Sequence, residues 1–131
     1  MDKLQHVSKK MRILVVDDFP TMRRIVRTML IQLGFSNVVE AEDGRAALTK
    51  IKEGGIEFVI SDWNMPYMMG IDLLRAVRDG SNTKTMPFLI ITAESQKENV
   101  VQAVQAGASS YIVKPFTAEI LEEKMANIFK S

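Results

Sequence analysis

Five positions carry the chemistry this sequence offers. The adjacent pair Asp17 and Asp18, then Asp62, Thr92 and Lys114, each fall at or just after the end of a short apolar run. Gathering three carboxylates is costly, since two of them about 5 Å apart repel by roughly 3 kcal/mol at an effective dielectric near 20. A fold that brings them together needs something positive among them. The chain has no cysteine and one histidine, His6. Disulfide, thiolate and histidine-rich metal chemistry are therefore excluded, and any metal must be held by oxygen. A few carboxylates with water completing the shell suit magnesium, which commonly also takes phosphate oxygens of a substrate. Lys114 would add a second positive charge for an anion oxygen, and Thr92 a hydroxyl donor. Phosphoryl transfer asks for little beyond positioning and charge neutralisation, and a carboxylate can be its nucleophile. The residues alone do not decide which aspartate would attack.

The elements that must position these groups follow from periodicity. Apolar runs at Ile13–Val16, Val38–Ala41, Phe58–Ile60, Phe88–Ile91 and Tyr111–Val113 hardly alternate, as expected of strands covered on both faces. Helical patterns separate them. Met22, Ile25, Val26, Met29, Leu30 and Leu33 form an apolar stripe that Gly34 stops. Ser95 and Glu98 make a capping box before Val100, Val101 and Val104, and Gly107 ends that helix. Thr117 is an N-cap for a last helix packing Leu121, Met125 and Ile128. Strands joined by helices give right-handed parallel crossovers, so the expected fold is α/β, (βα)5, one open parallel sheet with helices on both faces. Ligands bind such sheets at the carboxyl ends of the strands, and the five positions follow strands 1, 3, 4 and 5. Glu42 and Asp43 follow strand 2, further away.

Each group alone has a plainer role. Asp17 and Asp18 before Pro20 could cap the first helix, Lys114 before Pro115 could be a turn residue, and Thr92 one more β-branched strand residue. Trp63, Tyr111 and Glu94 could be simple packing or solvent-facing residues, nine methionines read as core filler, and Arg23, Arg24 and Arg27 as a solvated helix face. Four separate strand ends presenting such groups on one rim argue against coincidence.

Bulk properties narrow the class. A chain of 131 residues has room for one domain, and 47% hydrophobic with 25% charged residues is ordinary globular composition. Net charge +1 points to no bulk affinity for nucleic acid. Lys3, Lys9, Lys10 and Arg12 against Asp2 give the first twelve residues +3, and residues 1–11 read as a flexible extension. No apolar run approaches the ~20 residues of a membrane span, which sets the expectation of a cytoplasmic protein. There is no G-x-G-x-x-G after strand 1 and no P-loop. The D-x-D of aspartyl-nucleophile phosphatases is also missing, the order being Asp17-Asp18-Phe19-Pro20-Thr21.

The segments ILVVDDF (13–19), TMRRIV (21–26), EAEDG (40–44), FVISDWNMP (58–66), ITAE (91–94), AGASSYIVKPF (106–116) and LEEKMANIF (121–129) resemble bacterial response-regulator receivers. Within that family they are most similar to the stand-alone chemotaxis regulators. The resemblance implies a flavodoxin-like three-layer sandwich of strand order 2-1-3-4-5, with one receiver domain over 12–131. It implies Asp62 as phosphoacceptor, Mg2+ bound by Asp18, Asp62 and the Asn64 backbone carbonyl with Asp17 acting through water, and Thr92 and Lys114 on the phosphoryl oxygens. Tyr111 would be an aromatic switch coupled to Thr92, and Lys114–Pro115 a cis bond.

The expected partners are a chemotaxis histidine kinase as phosphodonor, a flagellar motor switch protein and a phosphatase. The partner face would comprise Lys97, Val100, Val104, Tyr111, Val113 and Lys124. A monomeric signalling protein is expected, catalysing only its own phosphorylation and dephosphorylation, with no output domain after Ser131 and so acting by docking. A phosphate sink that drains the kinase is the alternative use. Met69, Pro20 and Asn127 depart from the family pattern, where Asp or another polar residue, Ser and Lys are frequent.

Overall fold

Short runs of Val, Ile, Leu and Phe form the middle of the molecule because both of their faces are covered. The computed structural model of the chain describes residues 3–93 and 97–130. The elements alternate as β1 (Ile13–Val16), α1 (Pro20–Gln32), β2 (Val38–Ala41), α2 (Gly44–Glu53), β3 (Phe58–Asp62), α3 (Gly70–Asp79), β4 (Phe88–Thr92), α4 (Lys97–Ala106), β5 (Ser110–Val113) and α5 (Ala118–Ile128). All strand pairs are parallel and the order is β2-β1-β3-β4-β5. This is the expected three-layer arrangement.

Strand side chains alternate between two cores. Ile13, Val15, Phe58, Ile60, Leu89, Ile91 and Ile112 pack with Val26 and Leu30 of α1 and Leu121 and Met125 of α5. Leu14, Val16, Val59, Phe88 and Ile90 pack with Ala47 and Ile51 of α2, Leu73, Leu74 and Val77 of α3 and Ala103 of α4. Of the α1 stripe, Val26 and Leu30 are buried and Met22, Met29 and Leu33 partly so. Ile25 differs and stands at the surface. Gly34 ends α1 as expected: at φ 100 it lets Phe35 N–H reach back to Leu30 O at 2.9 Å. Thr117 caps α5, accepting from Ile120 N–H at 3.2 Å. Ser95 of the expected capping box lies outside the described residues, as do Glu94 and the Lys97 side chain.

Three expectations are corrected. β3 and β4 each run on past their apolar stretch, to Asp62 and Thr92, because the ladder is a backbone property and continues through polar residues. Residues 3–11, expected as part of a flexible extension, are laid against the core. Leu4 is fully buried in the α1–α5 cluster, His6 Nε2 lies 2.7 Å from Phe129 O, and Lys9 Nζ donates to Leu4 O at 2.6 Å. The physical reason is burial of apolar surface: Leu4 joins the same hydrophobic cluster as Phe35 and Phe58. Arg23 and Arg27, expected to be solvated, instead grip Glu40 of β2 at 3.0 Å each.

Candidate functional site

Register decides which side chains meet. Val16 pairs with Ser61, so Asp17 and Asp62 follow side by side on neighbouring strands. Asp62 pairs with Ile91 and Thr92 with Val113, which puts Thr92 and Lys114 on the same rim. The ladders extend one step beyond the strands: Asp17 N–H donates to Ala41 O at 3.2 Å, Trp63 N–H to Ile91 O at 2.8 Å and Lys114 N–H to Thr92 O at 2.9 Å. Asp17, Asp62, Thr92 and Lys114 are therefore held by backbone on the sheet.

Carboxylate oxygens of Asp17, Asp18 and Asp62 all lie within 4.8 Å of one another. Asp17 and Asp62 are buried and Asp18 exposed. Lys114 Nζ stands 3.0 Å from Asp62 Oδ1. Thr92 is buried beside them on β4. The five positions singled out in the sequence thus share one rim. They are not consumed in capping: the N-cap of α1 is Phe19, without a side-chain hydrogen bond. Asp17 Oδ1 accepts from Phe19 N–H at 2.9 Å, while the buried Asp17 Oδ2 has no hydrogen-bond partner among the described residues. Asp43, by contrast, is spent on structure, capping α2 through Ala46 N–H at 2.8 Å.

The electrostatics follow. Burial pushes the Asp17 carboxyl up to about 6, the Phe19 N–H working against it and the Asp62 charge adding to it. Burial also raises Asp62 above the ordinary carboxylate range, opposed first by its hydrogen bond to Lys114. One ammonium does not neutralise three carboxylates. An orphaned buried oxygen, raised carboxyls and an all-oxygen donor set fit a hard divalent cation of the magnesium type. Asp17, Asp18 and Asp62 could hold it. A carboxylate already paired with an ammonium could attack an electrophilic phosphorus, with Lys114 and the cation taking up the charge of the phosphoryl oxygens.

Several residues that support the site were not assigned that role from the sequence. Gly70, the first residue of α3, sits so close to the end of β3 that a Cβ there would enter the Asp62 carbonyl oxygen. Its N–H closes the β3–α3 loop onto Trp63 O at 2.8 Å. Ser61, fully buried, donates its hydroxyl to Asp62 O at 3.0 Å. Arg23 Nη1 donates to the Asp17 carbonyl at 2.6 Å while its Nε holds Glu40. Asn99 of α4 reaches the Thr92 hydroxyl at 3.4 Å. Only Gly70 had a readable pattern, a glycine at the mouth of an apolar helix.

Other expected residues lie nearby. Trp63 and Met65 are buried, leaving Asn64 exposed between them. Met69 is the N-cap of α3 without a side-chain cap and packs on the α2–α4 core. Tyr111 packs on that same core, with Lys124 Nζ 4.5 Å from its ring centre. The Lys114–Pro115 bond is cis. A groove of about 450 Å3 between α2 and α3, lined by Leu48, Ile51, Ile56 and Met86, opens at the opposite end of the strands and takes no part.

Residues 13–126 match the family described as the response regulator receiver domain. The chain is 53% identical over 124 residues to chemotaxis protein CheY-3 of Vibrio cholerae, covering 95% of each. It is 52% identical over 120 residues to chemotaxis protein CheY of Pseudomonas aeruginosa, covering 92% of this chain and 97% of that one. Among solved structures, response regulator CheY4 of Vibrio cholerae superposes with a TM-score of 0.84 at 35% identity, over 92% of this chain and 99% of that one. A putative response regulator from Chloroflexus aurantiacus gives 0.86 at 31% identity, over 91% and 97%.

Proposed function

The chain belongs to the response regulator receiver domain family, and from that premise we propose that it is a chemotaxis phosphorylation switch whose Asp62 accepts a phosphoryl group from a phosphohistidine of a sensor kinase. The observation that carries this reading is Asp62 itself, the last residue of β3, paired with Lys114 at 3.0 Å inside a cluster of three carboxylates. An Asp62 carboxylate oxygen forms the new P–O bond while the P–N bond breaks, its electron pair returning to a ring that is protonated on its other nitrogen and so leaves as neutral imidazole. Lys114, 35% exposed, keeps its ammonium beside the attacked centre. Thr92 Oγ donates to a phosphoryl oxygen.

Asp18, Asp62 and the Asn64 carbonyl would hold Mg2+, with Asp17 acting through water, and the ion would supply charge neutralisation on the phosphoryl oxygens. Phosphorylation then shifts a pre-existing equilibrium. Its readout is the face of α4, β5 and α5, where Val104 is 64% exposed, Val100 and Val113 are half-buried, and Lys124 lies over Tyr111. That apolar stripe with a basic edge suits a short acidic amphipathic segment such as a flagellar motor switch protein would present.

Trp63 adjoins Asp62, so its fluorescence reports the site. It should respond to Mg2+ and again to beryllofluoride, and phosphate incorporation from a small phosphodonor should vanish in Asp62→Asn. A Trp63 signal indifferent to both additions, with no incorporation, refutes the reading. Binding of the phosphorylated form to a motor switch peptide separates the switch from a phosphate sink, since equal binding of both forms leaves only the sink.

A further inference from the structure

We propose that Asn99 is a positioning residue that parks the Thr92 hydroxyl away from Asp62, opposes its swing onto a phosphoryl anion, and ties that swing to the first turn of α4. The inference rests on the reading of Asp62 and Thr92 given above. Thr92 is the last residue of β4 and is 2% exposed, so its hydroxyl must find its partners within the protein. A threonine hydroxyl has one proton to give. Here it is given to Ala93 O at 3.2 Å, and Oγ1 accepts from Asn99 Nδ2 at 3.4 Å. A hydroxyl committed in this way cannot also donate to an oxygen on Asp62. It must rotate to another staggered well, and the Asn99 bond is then lost.

Asn99 is placed for this role by its helix. It is the third residue of α4, and Ala103, one turn on, is buried against Phe88 and Ile90 of β4. Residues four apart share a face, so Asn99 faces the sheet, half-buried. Among the described residues, Thr92 Oγ1 is the hydrogen-bond partner of its side chain. The next residue, Val100, belongs to the proposed partner face. One amide thus links the hydroxyl that must move to the helix whose surface is read.

The experiment is beryllofluoride titration at saturating Mg2+, read by Trp63 fluorescence, on the wild type, Asn99→Ala, Thr92→Val and the double variant. Removing the parking bond should tighten anion binding by about 2–10-fold, the worth of one net hydrogen bond. The Mg2+ affinity measured without anion should not change, because Thr92 is not among the carboxylates. In the Thr92→Val background Asn99→Ala should add nothing. Unchanged or weaker anion binding in Asn99→Ala, or equal tightening in the Thr92→Val background, overturns the proposal. If Thr92→Val alone binds anion like the wild type, the role of Thr92 falls and this inference with it. If Thr92→Val weakens binding and Asn99→Ala is neutral, only the parking falls.

Discussion

Replacing Gly70 by Ala tests whether the backbone at the end of β3 is held where phosphoryl chemistry needs it. An alanine Cβ would lie within the van der Waals shell of the Asp62 carbonyl oxygen and 3.1 Å from both the Asp62 carbonyl carbon and Trp63 Cα. Normal contact needs about 3.5 Å or more, so α3 and the end of β3 must part by roughly 1 Å. Both are fixed. Leu73, Leu74 and Val77 anchor α3 in the core, and Trp63 N–H is bonded to Ile91 O. Two effects oppose each other: Ala in place of Gly favours a helix by about 1 kcal/mol, and overpacking costs about 1–3 kcal/mol, occasionally more. The clash wins because it meets backbone, which has no rotamer to escape into. With the overpacking cost at the upper end of its range, Gly70→Ala should lose about 2 kcal/mol in urea unfolding. A 1 Å misplacement can cost about 100-fold in rate, so phosphorylation by a small phosphodonor should fall by roughly 10–100-fold. A variant that is more stable than wild type and phosphorylates at the wild-type rate would show that helix propensity alone governs this position.

Two further outcomes follow from the corrections to the sequence reading. Burial works to raise the Glu40 carboxyl, but hydrogen bonds from Arg27 and Arg23 and their charges outweigh it and hold it below its ordinary value. A carboxyl lowered in the folded state contributes stability that is present above its unfolded pKa and lost as pH falls through the folded one; the gap in melting temperature between wild type and Glu40→Gln should therefore be widest near neutrality and close in acid, and a gap constant with pH contradicts the pairing. Leu4→Ala should cost about 2–5 kcal/mol by denaturant melt, as for any fully buried leucine, whereas a loss below about 0.5 kcal/mol would return residues 3–11 to the status of a loose tail.

Much of the architecture was legible because it depends on local pattern. β1 and β2 fall where apolar runs predict them, and Gly34 and Thr117 end and start helices by chemistry confined to one turn. The ends of β3 and β4 were missed since Ser61, Asp62 and Thr92 break the apolar run while their backbones stay on the ladder. Leu4 was missed because one leucine among polar residues has no period; it is buried in a cluster whose other members, Phe35, Phe58 and Met125 among them, are distant in sequence. Arg23 and Arg27 read as a solvated face because Glu40 is 13 or more residues away in sequence.

What the amino-acid sequence determined by itself is the fold class and the donor set: oxygen ligands only, one lysine, one threonine, each at the end of a strand. Strand-end chemistry is readable because a parallel sheet always presents those ends on one edge. What only the tertiary structure decided is their state. Register brought Asp17 beside Asp62, burial raised both carboxyls and left Asp17 Oδ2 without a hydrogen-bond partner among the described residues, and Lys114 closed on Asp62 Oδ1. Gly70, Ser61, Arg23 and Asn99 support those groups from positions with no spacing signature. Desolvation and hydrogen-bond reach depend on three-dimensional neighbours; for Gly70, Arg23 and Asn99 the neighbours come from other elements or from a loop closure that sequence spacing does not reveal, and Ser61 bonds within its own strand only because burial leaves its hydroxyl no water.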